Sequence, residues 1–581
     1  MAVREIVAEG FRVQLDLRSQ VLELSLPEDR GWAEGPELGA QEVPLAATPS
    51  ELAAGGDFAS ASMLAQKAKQ FDDGLYAAVE LAAQCGAGGF GGKARLLASL
   101  AERLVEPGTG PTDDAIATVL AACTLAGVRL DLPAEFERQV QSRLETFLHD
   151  ELRSKPIGFY TWSEELARIF RGDRLLQTEL EGEAGIRRLV EAIHADPAAR
   201  AIYEGALALA ARLTNPLVAP DLRGPLAARD RGAAEAPSER VHFFPPSRSH
   251  EAELVKQLYG STPIPDGFSL IDEMIRRIRA GTLCLMPAAD SGWYDYQTWS
   301  LEPLAVPEKT PEASRLKLGD AYRDQLLELF KGILALTRET HIKQLEIPIA
   351  GAAPPFPEPR PIIDVYPELS AEPLATYYVR RARSYCFVRE AIEATFGAEA
   401  VHTLHRQTAQ GPVAMSLADE LEQVEALFHG AHAVVCGQLG LSPADFPEAI
   451  PARDAEADAA RFRQWLAAMA SDPDLGRDAR MMVPLFYDVQ RGRTKVAAFL
   501  GWAARPLRIG FAAQPDATVF DERGNPVAGE AAPVLNFHAL TRPLAYPVTA
   551  EVYVQRILDR GEFQALCDRH RTRSAILAHL T

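Results

Sequence analysis

The stretch from Ser416 to Cys436 limits most narrowly what this chain can form, because its apolar residues recur at three- and four-residue steps. Ser416, with Asp419 three residues later, matches a helix N-cap in which a carboxylate completes the capping box. The apolar residues that follow share one side of a helix. They are Leu417, Leu421, Val424, Phe428, Ala431 and Val435. The pattern predicts a core-facing helix of about six turns.

A second face of the same helix carries side chains that can bind metal or move protons. Roughly 100° around the helix axis, two carboxylates, two imidazoles and a thiol recur at helical spacing: Glu422, Glu425, His429, His432 and Cys436. We take His429, His432 and Glu422 as candidate metal ligands and Glu425 as candidate catalytic base or ligand. The cofactor would be a divalent metal such as zinc. Alternatively, Glu422 and Glu425 pair with His429 on a solvated helix face.

An aromatic segment near residue 295 offers a candidate binding site of another kind. Trp293, Tyr294, Asp295 and Tyr296 follow Gly292, whose freedom of backbone conformation predicts a loop. Flat rings beside a few polar groups are the usual lining of a small-molecule pocket. The alternative is that the rings fill the junction between two helical layers.

A long helix is predicted from about residue 318 to residue 345, and His341 lies near its end. Glu339 and Glu346 invite a metal-site interpretation, but at 100° per residue both point well away from His341. His341 instead continues an apolar stripe, so we expect a buried imidazole with a hydrogen-bonding partner.

Composition excludes some partners. The 60 Lys and Arg residues against 80 Asp and Glu give a net charge of −20, so the chain as a whole repels nucleic acid and anionic lipid surfaces. The sequence lacks an apolar run of about 18 residues that could span a membrane. We therefore expect a cytoplasmic protein without nucleic-acid or membrane partners. The oligomeric state is left open.

The periodicity of the chain changes along its length. Alternating apolar residues at 11–17 and 22–26 predict an N-terminal β-hairpin, followed by an irregular arm, within residues 1–56. Helical patterns dominate residues 57–214 and 240–470, which we expect to form a helical domain and a central helical domain. Short β-rich runs then fill residues 475–581, before a terminal helix. The predicted fold class is α+β, mainly α-helical, with a small C-terminal antiparallel β region.

Two functions from different classes follow from these candidates. The first is an enzyme with a metal-assisted or acid–base site on the 416–436 helix. The second is a non-catalytic protein that binds a small-molecule ligand or acts as a scaffold, through the 290–299 aromatic segment or an interhelical groove.

Overall fold

Helices make up most of the structure, a computed structural model that describes residues 2–8, 11–26, 43–52, 57–105, 113–232, 240–258, 264–265, 267–343, 365–488, 491–527 and 533–580. In chain order the helices are α1 Ala61–Cys85, α2 Lys93–Leu104, α3 Asp114–Leu125, α4 Ala134–His149, α5 Glu151–Ser154, α6 Glu164–Leu176, α7 Glu183–His194, α8 Pro197–Leu213, α9 Arg223–Asp230, α10 His250–Leu258, α11 Leu270–Ala280, α12 Trp293–Trp299, α13 Glu302–Ala305, α14 Asp320–His341, α15 Ala375–Phe396, α16 Ala398–Val401, α17 Leu417–Gln438, α18 Ala455–Ala468, α19 Arg560–His570 and α20 Arg573–Leu577. None of these described helices is both long and apolar enough to cross a lipid bilayer.

The strands come mainly from the two ends of the chain. They are β1 Val3–Ala8, β2 Phe11–Asp16, β3 Val21–Ser25, β4 Glu179–Leu180, β5 Val241–His242, β6 Leu316–Leu318, β7 Met481–Asp488, β8 Arg493–Ala513, β9 Asp516–Phe520, β10 Pro526–Val527 and β11 Leu540–Val554. One sheet has the order β1-β2-β9-β10, a second has the order β11-β8-β3-β6 with β7 also paired to β8, and β4 pairs with β5. Every pairing is antiparallel except the one between β3 and β6.

The two alternating runs at the N-terminus form strands, but not with each other. β2 forms a hairpin with the preceding strand β1, and β3 pairs instead with β8 and β6. The predicted pairing of residues 11–17 with residues 22–26 was therefore wrong. Period-2 alternation shows which face of each strand is buried, whereas the partner depends on long-range packing.

The predicted fold class is confirmed. The described chain is α+β and mainly helical, and β7 to β11 form an antiparallel region near the C-terminus. Within residues 475–581, where the sequence predicts short β-rich runs, β8 is a single strand of 21 residues. Pro506 lies inside this strand, opposite Pro543 of β11.

Helices and sheets share one large core. α14 packs against β11, and a Cβ on Gly332 would overlap the ring of Pro547, so glycine permits this close approach. The main hydrophobic cluster runs from Leu22 on β3, through the helices, to Leu544 on β11. The division of the chain into domains at residues 56, 214 and 470 stays a prediction. Strands of the first and last of these segments pair directly with each other.

Candidate functional site

α17 forms as the sequence predicts. It runs from Leu417 to Gln438, and the hydroxyl of Ser416 accepts a hydrogen bond from the backbone N–H of Asp419. All six residues of the apolar stripe are buried. Gly430 lets α18 approach, because a Cβ there would collide with the carbonyl oxygen of Asp458. Four of the five residues of the second face are buried: Glu425, His429, His432 and Cys436.

The two glutamates of the second face pair with arginines. Glu425 is fully buried and accepts hydrogen bonds from Arg389 of α15 and from Arg453. Glu422 is half exposed and accepts hydrogen bonds from Arg453 and Arg461. The alternative pairing with His429 on a solvated face was therefore wrong. Burial raises the pKa of Glu425, and the hydrogen bonds from Arg389 act in the opposite direction.

The two histidines lie close together but have other partners. Nδ1 of His429 lies 2.8 Å from the carboxylate of Asp458, and Nδ1 of His432 lies 3.0 Å from the carbonyl oxygen of Ala375. Their ring centroids are 6.1 Å apart. Burial lowers the pKa of His429 and lowers that of His432 to about 4, so both rings are neutral at pH 7. A neutral imidazole is the form that binds metal.

Within the part of the chain that the structure describes, no group of three or more His, Cys, Asp or Glu side chains is arranged to hold a metal ion. Around α17 the reason is visible, since Arg453 binds Glu422 and Glu425 and also pairs with Asp458. A metal would have to displace this guanidinium from the carboxylates. The geometry lends no support to the metal hypothesis, which stays a prediction.

The aromatic segment is a helix instead of the expected loop. Gly292 is the N-cap residue, and α12 begins directly after it at Trp293. Trp293, Tyr294 and Asp295 are 0%, 0% and 2% exposed, and Tyr296 stacks on Phe387. A ligand could contact Trp293 or Tyr294 only if the surrounding side chains moved. The binding role predicted for this segment therefore gains no support from its surroundings.

His341 is completely buried next to this aromatic helix. Its Nε2 lies 2.7 Å from the side-chain oxygen of Gln297, which is the hydrogen bond that the sequence led us to expect. The rings of Tyr76, Trp293 and Tyr294 surround it, each with its centroid 5.3 Å away. Burial lowers the pKa of the imidazole well below its usual range. His341 therefore contributes to the packing of the aromatic core around it.

A chain of buried charges follows α1 through the core. Lys69 pairs with Asp73 and with Glu339 of α14. Asp72 accepts hydrogen bonds from Arg381, Tyr385 and Gln297. Asp72 pairs with Arg381, whereas Asp73 and Glu339 share Lys69, and burial raises the pKa of Asp72 and of Asp73. These contacts act as structural ion pairs between α1 and its neighbours.

The same pattern continues at the end of α1. Lys343 donates to Glu80 at 2.6 Å and to Asp173 at 2.8 Å, and Lys93 also pairs with both carboxylates. The cluster thus contains equal numbers of carboxylate and ammonium groups. The lysines hold the pKa of Glu80 and of Asp173 below its usual value, so neither acid is suited to accept a proton at neutral pH.

An open groove lies on another side of α17. It has a volume of about 750 Å³, and α1, α17 and α18 form its walls; we call it the α17 groove. Its apolar lining residues are Phe71, Met415, Val424, Leu427, Trp465 and Ala468, and its charged lining residues are Lys67, Arg406, Asp419, Glu420, Glu422, Arg461 and Asp474. A cavity of this size and mixed lining is typical of a small-molecule site.

One carboxylate in the α17 groove has an unsatisfied oxygen. Arg406 donates from Nε to Oε1 of Glu420 at 2.9 Å. Oε2 of Glu420 is buried and has no hydrogen-bond partner among the described residues. Burial raises the pKa of Glu420. Because buried carboxylate oxygens normally receive a hydrogen bond, this atom indicates a place for an additional donor.

Sequence reasoning found the helix but not this site. Glu420, Val424 and Leu427 recur at three- and four-residue steps on α17, next to the face that we selected. That spacing is the sequence pattern from which this face of α17 could have been predicted. Phe71 and Trp465 come from other helices, and Arg406 comes from the segment before α17, so no helical pattern connects them to α17.

Comparisons with protein-family models, with curated proteins and with solved structures found no match for this chain.

Proposed function

We propose that this protein binds an amphipathic organic amine in the α17 groove. It is a specific version of the hypothesis that a non-catalytic protein binds a small-molecule ligand in an interhelical groove. The observation that carries it is that Oε2 of Glu420, a lining residue of the groove, has no hydrogen-bond donor among the described residues. An ammonium group supplies both the missing hydrogen bond and a compensating charge.

The apolar wall suits a hydrocarbon or aromatic body. Phe71, Val424 and Leu427 are buried at 2%, 6% and 5% exposure and present their edges to the groove. Trp465 is held in place by a 2.7 Å hydrogen bond from its Nε1 to Asp472. Met415 is 40% exposed, and its flexible side chain can adapt to different shapes.

The charge balance favours a cation over an anion. Four carboxylates line the groove, against three cationic side chains. Lys67 and Arg406 are already paired with Asp474, and Arg461 is paired with Glu422. Glu420 is the acid whose second oxygen lacks a donor, so a cationic ligand gains a partner there without breaking a pair.

Calorimetric titration with 2-phenylethylamine tests the proposal, with 2-phenylethanol as the uncharged counterpart. We expect saturable binding of the amine and at least about tenfold weaker binding of the alcohol. Glu420→Gln should weaken amine binding by about tenfold, because it removes the charge while retaining the shape.

Glu456→Gln is the matched control, since Glu456 lies on the exposed surface of α18 and does not line the groove. The affinity of Glu456→Gln for 2-phenylethylamine should stay within about twofold of the wild-type affinity. Equal binding of the amine and the alcohol, or an unchanged affinity in Glu420→Gln, would refute an amine site at Glu420.

A further inference from the structure

A second groove, distant in sequence from α17, collects guanidinium groups. It has a volume of about 800 Å³ and lies between α4, α6 and β7. Arg143, Arg153 and Arg174 line it, together with His242 and Lys343. We call it the Arg174 groove. Such a concentration of cations is unexpected in a protein with a net charge of −20.

The three arginines are incompletely paired. Arg143 and Arg153 each lie 3.4 Å from one carboxylate, that of Asp114 and that of Asp150. Nε of Arg143 is buried without a hydrogen-bond partner in the described part of the chain. These long, single contacts leave donors available on both side chains.

Arg174 is the one of the three that forms no ion pair with a described residue. Its Nη1 donates to the side-chain oxygen of Gln177 at 3.1 Å and weakly to the carbonyl oxygen of Lys343 at 3.5 Å. No carboxylate among the described residues pairs with it. Burial and the nearby charge of Arg153 lower the pKa of Arg174 to about 10, and the charge of Asp150 acts in the opposite direction. The side chain is therefore charged at neutral pH without a directly paired carboxylate.

The acids of the groove form no ion pair with Arg174. Asp150, Glu179 and Glu181 also line it. Asp150 pairs with Arg153, and Glu179 pairs with Arg240 at 3.0 Å. Glu181 is exposed and forms no ion pair with the described residues. Lys343 is neutralised by Glu80 and Asp173 on its inner side.

We infer that the Arg174 groove binds a small organic anion, whose carboxylate or phosphate group pairs with Arg174. The planar guanidinium presents parallel N–H donors that match either group. The body of the ligand would lie against Phe486 and Tyr487 of β7, and Tyr487 is 48% exposed. This site is independent of the α17 groove, because none of its lining residues is shared with it.

Titration of the full chain with phenyl phosphate and with benzoate, at constant ionic strength, tests the inference and separates the two anionic groups. We expect saturable binding of at least one probe, and a second titration at higher chloride concentration should show weaker binding, because screening reduces the ion pair. Arg174→Gln should weaken that binding by about tenfold. The exposed Arg187 pairs with Glu183 on α7, and Arg187→Gln should stay within about twofold of wild type.

The result that overturns the inference is the absence of saturable binding of both probes to the wild-type chain, or equal affinity in wild type and Arg174→Gln. Circular dichroism shows whether Arg174→Gln folds. If it does not, Arg153→Gln takes its place, because that side chain is 60% exposed and its loss leaves the core intact. An unchanged affinity in Arg153→Gln would then overturn the inference, and a loss of about threefold or more would support it.

Discussion

Arg389 donates two hydrogen bonds to Glu425, from Nε to Oε1 at 2.7 Å and from Nη2 to Oε2 at 2.9 Å. This two-point pair joins α15 to α17 at a carboxylate with no exposed surface. A third bond, from Arg453 at 3.0 Å, also reaches Oε2. Both oxygens of Glu425 are therefore engaged, and a role as catalytic base would require at least one arginine to move.

Replacing Glu425 should thus affect stability first. We expect Glu425→Gln to lower the free energy of unfolding by roughly 1–3 kcal/mol, because two arginines lose their charged partner. Urea denaturation measures this. Glu422→Gln is the control, since the Glu422 side chain is 46% exposed and its loss should cost at most about 1 kcal/mol. Equal stability of the two variants would contradict this interpretation of Glu425.

The metal hypothesis for α17 is tested by measuring zinc in chelator-washed, reloaded protein. If His429 and His432 are ligands, replacing both with Ala abolishes bound zinc. Arg453→Met should then tighten zinc binding, because it releases Glu422 and Glu425 from their guanidinium partner. Retention of zinc by the double histidine variant would end the hypothesis.

Trp293 should behave as a core residue. Its side chain is fully buried and contacts the ring of His341 at 5.3 Å between centroids. We expect Trp293→Ala to cost about 3–5 kcal/mol of stability, as large core truncations do. Trp293→Phe should cost less, since Nε1 has no hydrogen-bond partner among the described residues. A melting temperature of Trp293→Ala near that of wild type would revive the ligand-binding interpretation.

Glu551 on β11 should make stability fall with rising pH. It accepts hydrogen bonds from the N–H groups of Leu270 and Ile271 at the start of α11, and burial raises its pKa to about 7. The folded-state pKa lies above the ordinary value of 4.5, so the contribution is complete below pH 4.5 and is lost as pH rises through about 7.

The size of this contribution is up to about 3 kcal/mol. Between pH 5 and pH 8, the fall in unfolding free energy that Glu551 causes in wild type should be missing in Glu551→Gln, because an amide side chain at this position does not titrate. The difference between the two proteins isolates Glu551 from the buried histidines, which titrate in both. An identical pH dependence in both proteins would exclude this role.

Local patterns predicted elements better than partners. α14 and α17 lie close to where the apolar spacing places them, because helical periodicity and caps are properties of neighbouring residues. The segment at Trp293 became a helix instead of a loop, since Gly292 permits a turn but does not require one. The pairing of β3 with β8 spans almost the whole chain, and no local signal specifies it.

By itself, the sequence determined the long helices α14 and α17, the alternation along the N-terminal strands, the mainly helical α+β class and the candidate chemistry on α17. Tertiary structure alone decided what those side chains contact. Arg389 and Arg453 meet Glu425, Phe71 and Trp465 meet α17, and Arg143 and Arg174 line one groove, although each set is scattered along the chain. Secondary structure depends on residues a few positions apart, whereas a site depends on distances that only packing of the whole chain fixes.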